Sequence, residues 1–135
     1  MNDKFTQNAR EAINLATENA YALSHNYVGT EHLLMGLLDS KGVASKILKQ
    51  HGVEKTKLIE LVQELIAPTS PLEMLEATTL TPRAQRILNN SYNEAIKLKS
   101  DAVGTTHILI SLIKEADCVA DRLLNTIGIN LQKLF

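Results

Sequence analysis

The chain has 135 residues, 44% of them apolar, with three tyrosines, two phenylalanines, no tryptophan and a formal charge of -1 at neutral pH. That balance gives no long-range attraction to nucleic acid or to an anionic membrane, and no apolar run is long enough to span one. The single cysteine, Cys118, excludes an internal disulfide; with no signal peptide at Met1-Asn2-Asp3-Lys4, a cytoplasmic setting is expected, with Cys118 a small apolar space-filler and not a nucleophile.

Phe5, Ala9, Ala12, Ile13, Ala16, Ala20 and Leu23 trace a helical stripe behind Thr6, an N-cap residue type. A polar turn, Ser24-His25-Asn26, follows it. Val28-Gly29-Thr30 then opens a second helix carrying Leu33, Leu34, Leu37 and Leu38. A third, short helix carries Val43, Ala44, Ile47 and Leu48 and stops at Gly52, the residue type that accepts a left-handed C-cap. Leu58, Leu61, Val62, Leu65 and Ile66 form the stripe of a fourth. Ala67-Pro68-Thr69-Ser70-Pro71 breaks the periodicity, and the segment to Thr79 reads as a linker with one helical turn at Leu72 to Leu75.

The chain then repeats itself. Tyr27-Val28-Gly29-Thr30-Glu31-His32-Leu33-Leu34 returns 75 residues later as Ala102-Val103-Gly104-Thr105-Thr106-His107-Ile108-Leu109. Thr81-Pro82, a cap followed by proline at the first helical position, opens the second copy. Its long helix carries Leu80, Ala84, Ile87, Leu88, Ala95 and Leu98, and ends in the turn Lys99-Ser100-Asp101. Ile108, Leu109, Leu112 and Ile113 follow. After a one-residue insertion come Val119, Ala120, Leu123 and Leu124, then Gly128, and a fourth helix begins at Leu131 to Phe135.

This duplication predicts an all-α fold of two four-helix repeats, about eight helices related by a pseudo-two-fold. Repeat one covers about 5–66, the linker about 67–79 and repeat two about 80–135. Each half alone, at roughly 60 residues, would bury only about 60% of its unfolded surface, so the copies are expected to pack as one compact domain over residues 1–135. No strand-like alternation is present.

No glycine-rich phosphate loop followed by lysine occurs. The four histidines, His25, His32, His51 and His107, and Cys118 lack zinc-type spacing, so no metal or other cofactor is expected. Glu31 and His32 are adjacent and point in different directions on a helix, with no matched nucleophile. Recurrence of the histidine as His107 favours a structural imidazole, and no catalytic residue is expected.

The helix starts at Gly29, Thr30, Glu31 and at Gly104, Thr105, Thr106 are the candidate binding residues. Unpaired N–H groups and the helix dipole suit a phosphate there, and the Glu31 carboxylate suits a guanidinium. From the residues alone two outcomes stay open. Either a group carrying both phosphate and guanidinium binds, or Thr30 is a cap, Glu31 favours the dipole and nothing binds.

The run from Val28 through Gly36-Leu37-Leu38, preceded by a Thr-x-x-Ala helix at Thr6 and Ala9 and then repeated, resembles the Clp N-terminal repeat domain over essentially the whole chain. That domain is the amino-terminal module of Clp-family AAA+ unfoldases. The Gly-Thr-Glu-His form, with Thr81-Pro82-Arg83-Ala84 opening the second copy, looks closest to the ClpC branch; ClpA- and ClpB-type domains match less well. The resemblance implies a non-enzymatic module that docks protein substrates and a MecA-type adaptor and delivers them to an ATPase ring working with the ClpP peptidase. It also implies reading of phosphorylated arginine, with the motif carboxylate on the guanidinium and the helix start on the phosphate. Thr30 and Glu31 carry over to that role. In the second copy Gly104 and Thr105 are kept but Thr106 offers no charge, leaving one complete site at most, with Asp101 a partial substitute nearby. The alternative is a stand-alone Clp-repeat interaction protein that binds no phosphoarginine.

Overall fold

Seven α-helices and one pair of two-residue strands make up the computed structural model, which describes residues 4–76 and 78–130. Repeat one contains α1 (Gln7–Ala22), β1 (Tyr27–Val28), α2 (Thr30–Asp39), α3 (Val43–Gln50) and α4 (Lys55–Leu65). Repeat two contains β2 (Thr79–Leu80), α5 (Pro82–Lys97), α6 (Thr105–Lys114) and α7 (Val119–Thr126). The expected turn in the linker is a 3₁₀ turn at Glu73–Leu75. The expected eighth helix, at Leu131 to Phe135, lies outside the described residues.

The local signals work as the residue chemistry requires. The Thr6 and Thr81 hydroxyls accept from the Ala9 and Ala84 N–H groups at 3.1 Å each, capping α1 and α5. Gly52 and Gly128 take φ of 85° and 84° after α3 and α7, and the residues behind them donate back to Leu48 and Leu124. Ser24 and Lys99, at matched positions, turn the chain in the left-handed region after α1 and α5.

An alanine stripe on α1, Ala9, Ala12, Ala16 and Ala20, is buried against α2. Small side chains let the two backbones approach, and at Gly36 they touch. A Cβ there would collide with the Ala12 carbonyl oxygen and stand 2.8 Å from the Ala16 nitrogen. At the matched place in repeat two there is room for Ser111, whose hydroxyl donates to the Ile87 carbonyl at 2.6 Å. Helix α2 is buried from Thr30 through Leu38, so it is the central rod of the core.

The repeats are joined by exchange. β1 pairs in parallel with β2, Val28 opposite Leu80, and Thr81 N–H donates to the Val28 carbonyl at 3.0 Å. In the pseudo-symmetric image Phe5 bridges Val103, with Thr6 N–H donating to Val103 at 2.9 Å. The expectation of no strands is corrected here. Two-residue pairings between distant segments are too short to leave an alternating pattern in either one. The Phe5 ring also packs on Tyr92 of α5, centroids 5.2 Å apart.

Four stripe residues are not core. Val43, Leu65, Leu98 and Val119 are exposed, because each sits at a helix end where the apolar face has run past its partner.

Candidate functional site

The start of α2 is built around a buried imidazole. Gly29 is the N-cap, so Thr30 and Glu31 are the first two helical residues and His32 the third. The Gly29 N–H can only donate, and it does so to His32 Nδ1 at 2.9 Å. His32 must therefore carry its proton on Nε2, which lies 3.0 Å from His25 Nδ1. His25 Nδ1 accepts that proton, so the neutral His25 ring carries its own on Nε2. Burial, and secondarily the neighbouring His25, lowers the His32 pKa to about 4; burial also lowers that of His25. Tyr27 stacks on His25 at 5.0 Å between ring centroids. The structural role expected of His32 holds, and His107 repeats it by accepting from Gly104 N–H at 2.8 Å.

Thr30 does not cap its own helix. Its hydroxyl accepts from the Ala120 N–H, capping α7 of the other repeat at 3.1 Å. Thr105 mirrors this, accepting from the Ala44 N–H of α3 at 3.3 Å. The reading of Thr30 as a local cap is thus corrected: the side chain leaves the helix start sideways, toward the opposite repeat. Thr30→Val and Thr105→Val should each cost about 1 kcal/mol, measured by urea unfolding. Faster exchange of the Ala120 amide should accompany Thr30→Val alone; unchanged protection there would remove the cross-repeat cap.

Glu31 is 2% exposed. Its carboxylate folds back over Gly29, where any added Cβ would strike it. Burial raises its pKa, with its own backbone N–H pulling the other way. Burial and then the Glu31 charge push Tyr27 up to about 12. The second start is different. Thr106 is only half-buried, and a Cβ on Gly104 would meet nothing closer than 3.8 Å. Asp101 is exposed.

Gly29, Thr30 and Glu31 line a cavity of about 560 Å³ between the repeats. Gly104, Thr105 and Thr106 do not line it. The other walls come from residues that local sequence reading left out: Tyr27, Ile66, Thr81, Pro82, Arg83, Asp117, Cys118, Val119 and Arg122. Three helix starts therefore converge, those of α2, α5 and α7, and each brings the positive end of its dipole. Arg83, Arg122 and Asp117 line the same space as the buried Glu31 carboxylate. Burial, the largest effect, raises the Cys118 thiol, which stays protonated and packs against Thr30 as the space-filler expected. Among the described residues no His, Cys, Asp and Glu cluster could hold a metal, and no helix is long and apolar enough to cross a membrane.

Residues 4–127 match the family described as the Clp repeat (R) N-terminal domain. The chain is 41% identical over 131 residues to the negative regulator of genetic competence ClpC/MecB of Bacillus subtilis, and 40% identical over 131 residues to the chaperone protein ClpB of Oceanobacillus iheyensis. Each alignment covers 96% of this chain and 16% of the relative's length. Among solved structures, the N-terminal domain of ClpD from Arabidopsis thaliana superposes with a TM-score of 0.81 at 21% identity, covering 99% of this chain and 94% of that one. The ClpV N-domain solved with a VipB peptide gives 0.74 at 20% identity, covering 98% and 82%. Family match, duplicated motif and shared fold agree: this chain belongs to the Clp repeat N-terminal domain family.

Proposed function

We propose that this domain is the docking module of a cytoplasmic ClpC-like unfoldase, recruiting substrates and a MecA-type adaptor for a ring that feeds ClpP, and that its interrepeat cavity reads phosphoarginine. The carrying observation is the cavity itself. Glu31, an almost wholly buried carboxylate, lines one open cavity together with Arg83, Arg122 and three helix starts. A purely cationic ligand suits only Glu31 and Asp117, and a simple anion suits only the arginines and the helix starts. A phosphorylated guanidinium satisfies both, with a planar cation bonded directly to a tetrahedral phosphoryl group. The family relationship supports a docking role, and the ClpV N-domain that was solved with a peptide supports it further.

The test is a calorimetric titration with free phosphoarginine, with arginine as control. Glu31→Ala should weaken phosphoarginine binding by roughly 10- to 150-fold, the equivalent of losing one charge-assisted hydrogen bond of about 1.5–3 kcal/mol. Near one equivalent should bind, since Thr106 supplies no carboxylate at the second start. Unaltered affinity in Glu31→Ala would remove Glu31 from the site. Two equivalents would show that a threonine suffices there.

A further inference from the structure

We propose that Arg122 holds the phosphoryl group in this cavity and sets its preference for phosphoarginine over arginine; the inference rests on the phosphoarginine reading above. At the start of α2 the places a phosphate would use are already taken. The Glu31 carboxylate fills the space over Gly29, and the Thr30 hydroxyl accepts the Ala120 N–H. Of the two guanidinium groups, Arg83 is committed elsewhere. Its Nη1 donates to the Ala116 carbonyl at 2.7 Å, and its Nε lies 3.7 Å from Glu115. Arg122 is exposed, lines the cavity and has no side-chain partner among the described residues.

A guanidinium carries five donors in a fixed fork that matches phosphoryl oxygens, and a charge-assisted pair of such bonds is stronger than a neutral one. In phosphoarginine the phosphoryl sits on a guanidinium nitrogen. A ligand whose guanidinium meets Glu31 therefore carries its phosphoryl into the same cavity, and Arg122 is the uncommitted cation there. The two charges then come from different repeats, Glu31 from α2 and Arg122 from α7. Discrimination follows from sign. Unmodified arginine presents Arg122 with a like charge, whereas the phosphorylated form presents it with a dianion. Glu31 sets affinity for the guanidinium in both ligands; Arg122 sets their ratio.

Phosphoarginine and arginine are titrated into the parent chain and into Arg122→Gln, Arg122→Lys and Lys49→Ala. Lys49 is exposed on α3 outside the cavity, so its loss removes one positive charge without touching the site. Arg122→Gln should weaken phosphoarginine about 10- to 100-fold while arginine binds as before or better. Arg122→Lys should fall between, keeping the charge and losing the fork. Lys49→Ala should match the parent. Phosphoarginine affinity retained in Arg122→Gln and lost in Glu31→Ala overturns the Arg122 assignment alone, as does an equal loss for both ligands. A parent chain that does not bind phosphoarginine overturns the site reading and this inference with it. A melting curve on each variant separates lost binding from lost fold, and Arg122→Lys supplies the conservative case.

Discussion

Gly36→Val is expected to destabilise the chain by about 3 kcal/mol or more, at the upper end of overpacking costs. The reason lies in what the new side chain meets. Its Cβ would collide with the Ala12 carbonyl oxygen and crowd the Ala16 nitrogen, and both are backbone atoms of α1 that no rotamer change can move. The helices must separate, and the alanine stripe on α1 then loses contact with α2 along its length. Alanines have little reach to close such a gap, so the loss spreads beyond the mutated position. For a domain of this size the melting temperature should fall by about 10 °C or more. Ser111→Ala, at the matched place in repeat two, should cost only about 1 kcal/mol by removing the bond to Ile87. A Gly36→Val chain that unfolds at the parent's urea midpoint would refute the close contact of α1 and α2.

The second large effect is acid destabilisation through His32. In the unfolded chain its imidazole titrates near 6.5; in the folded chain burial holds it neutral down to about 4. Below 6.5 the unfolded state therefore binds a proton that the folded state refuses. The His32 contribution is fully present above 6.5 and is lost as pH falls toward 4, for a total of about 3 kcal/mol. His25 acts in the same direction, since its pKa is lowered too. Glu31 has the opposite sign: its raised pKa gives stability that is present below its unfolded value and is lost as pH rises through the folded one. Glu94, lowered chiefly by its hydrogen bond with Lys114 at 2.8 Å, adds stability above its unfolded value that is lost in acid. Urea unfolding between pH 4 and 7 should show a falling midpoint, with a shallower slope in His32→Asn, whose amide oxygen can still accept from Gly29. Nitrogen-detected NMR should find His32 neutral at pH 5.5 with its proton on Nε2. An imidazole titrating near 6.5 in the folded chain would sink this account.

The helices, their caps and the duplicated plan were legible from residues alone because each of those signals is local. Thr6 and Thr81 cap an N–H three residues on, and Gly52 and Gly128 end helices by their own backbone freedom. Periodicity in Leu33 to Leu38 marked a buried helix without saying what buries it. Three of the six candidate site residues, Gly29, Thr30 and Glu31, line the cavity, and the match of Gly104-Thr105-Thr106 to them was equally plain. The repeat also contained a clue that local reading passes over. Thr30 and Thr105 recur at the same place although neither caps its own helix, so a shared non-local duty was encoded.

Tertiary structure alone decided where that duty is performed. The Thr30 hydroxyl meets an N–H 90 residues away, and Thr105 meets one 61 residues away. β1 finds β2, and Phe5 finds Val103, across the same interface. Arg83 and Arg122 line the same cavity as Glu31 only because α5 and α7 begin beside α2 once the repeats have packed. A sequence repeat specifies what each copy is, through spacings of three and four residues. Which residues of one copy complete the other is fixed by the packing of two marginal halves into one core, and no spacing along the chain records that geometry.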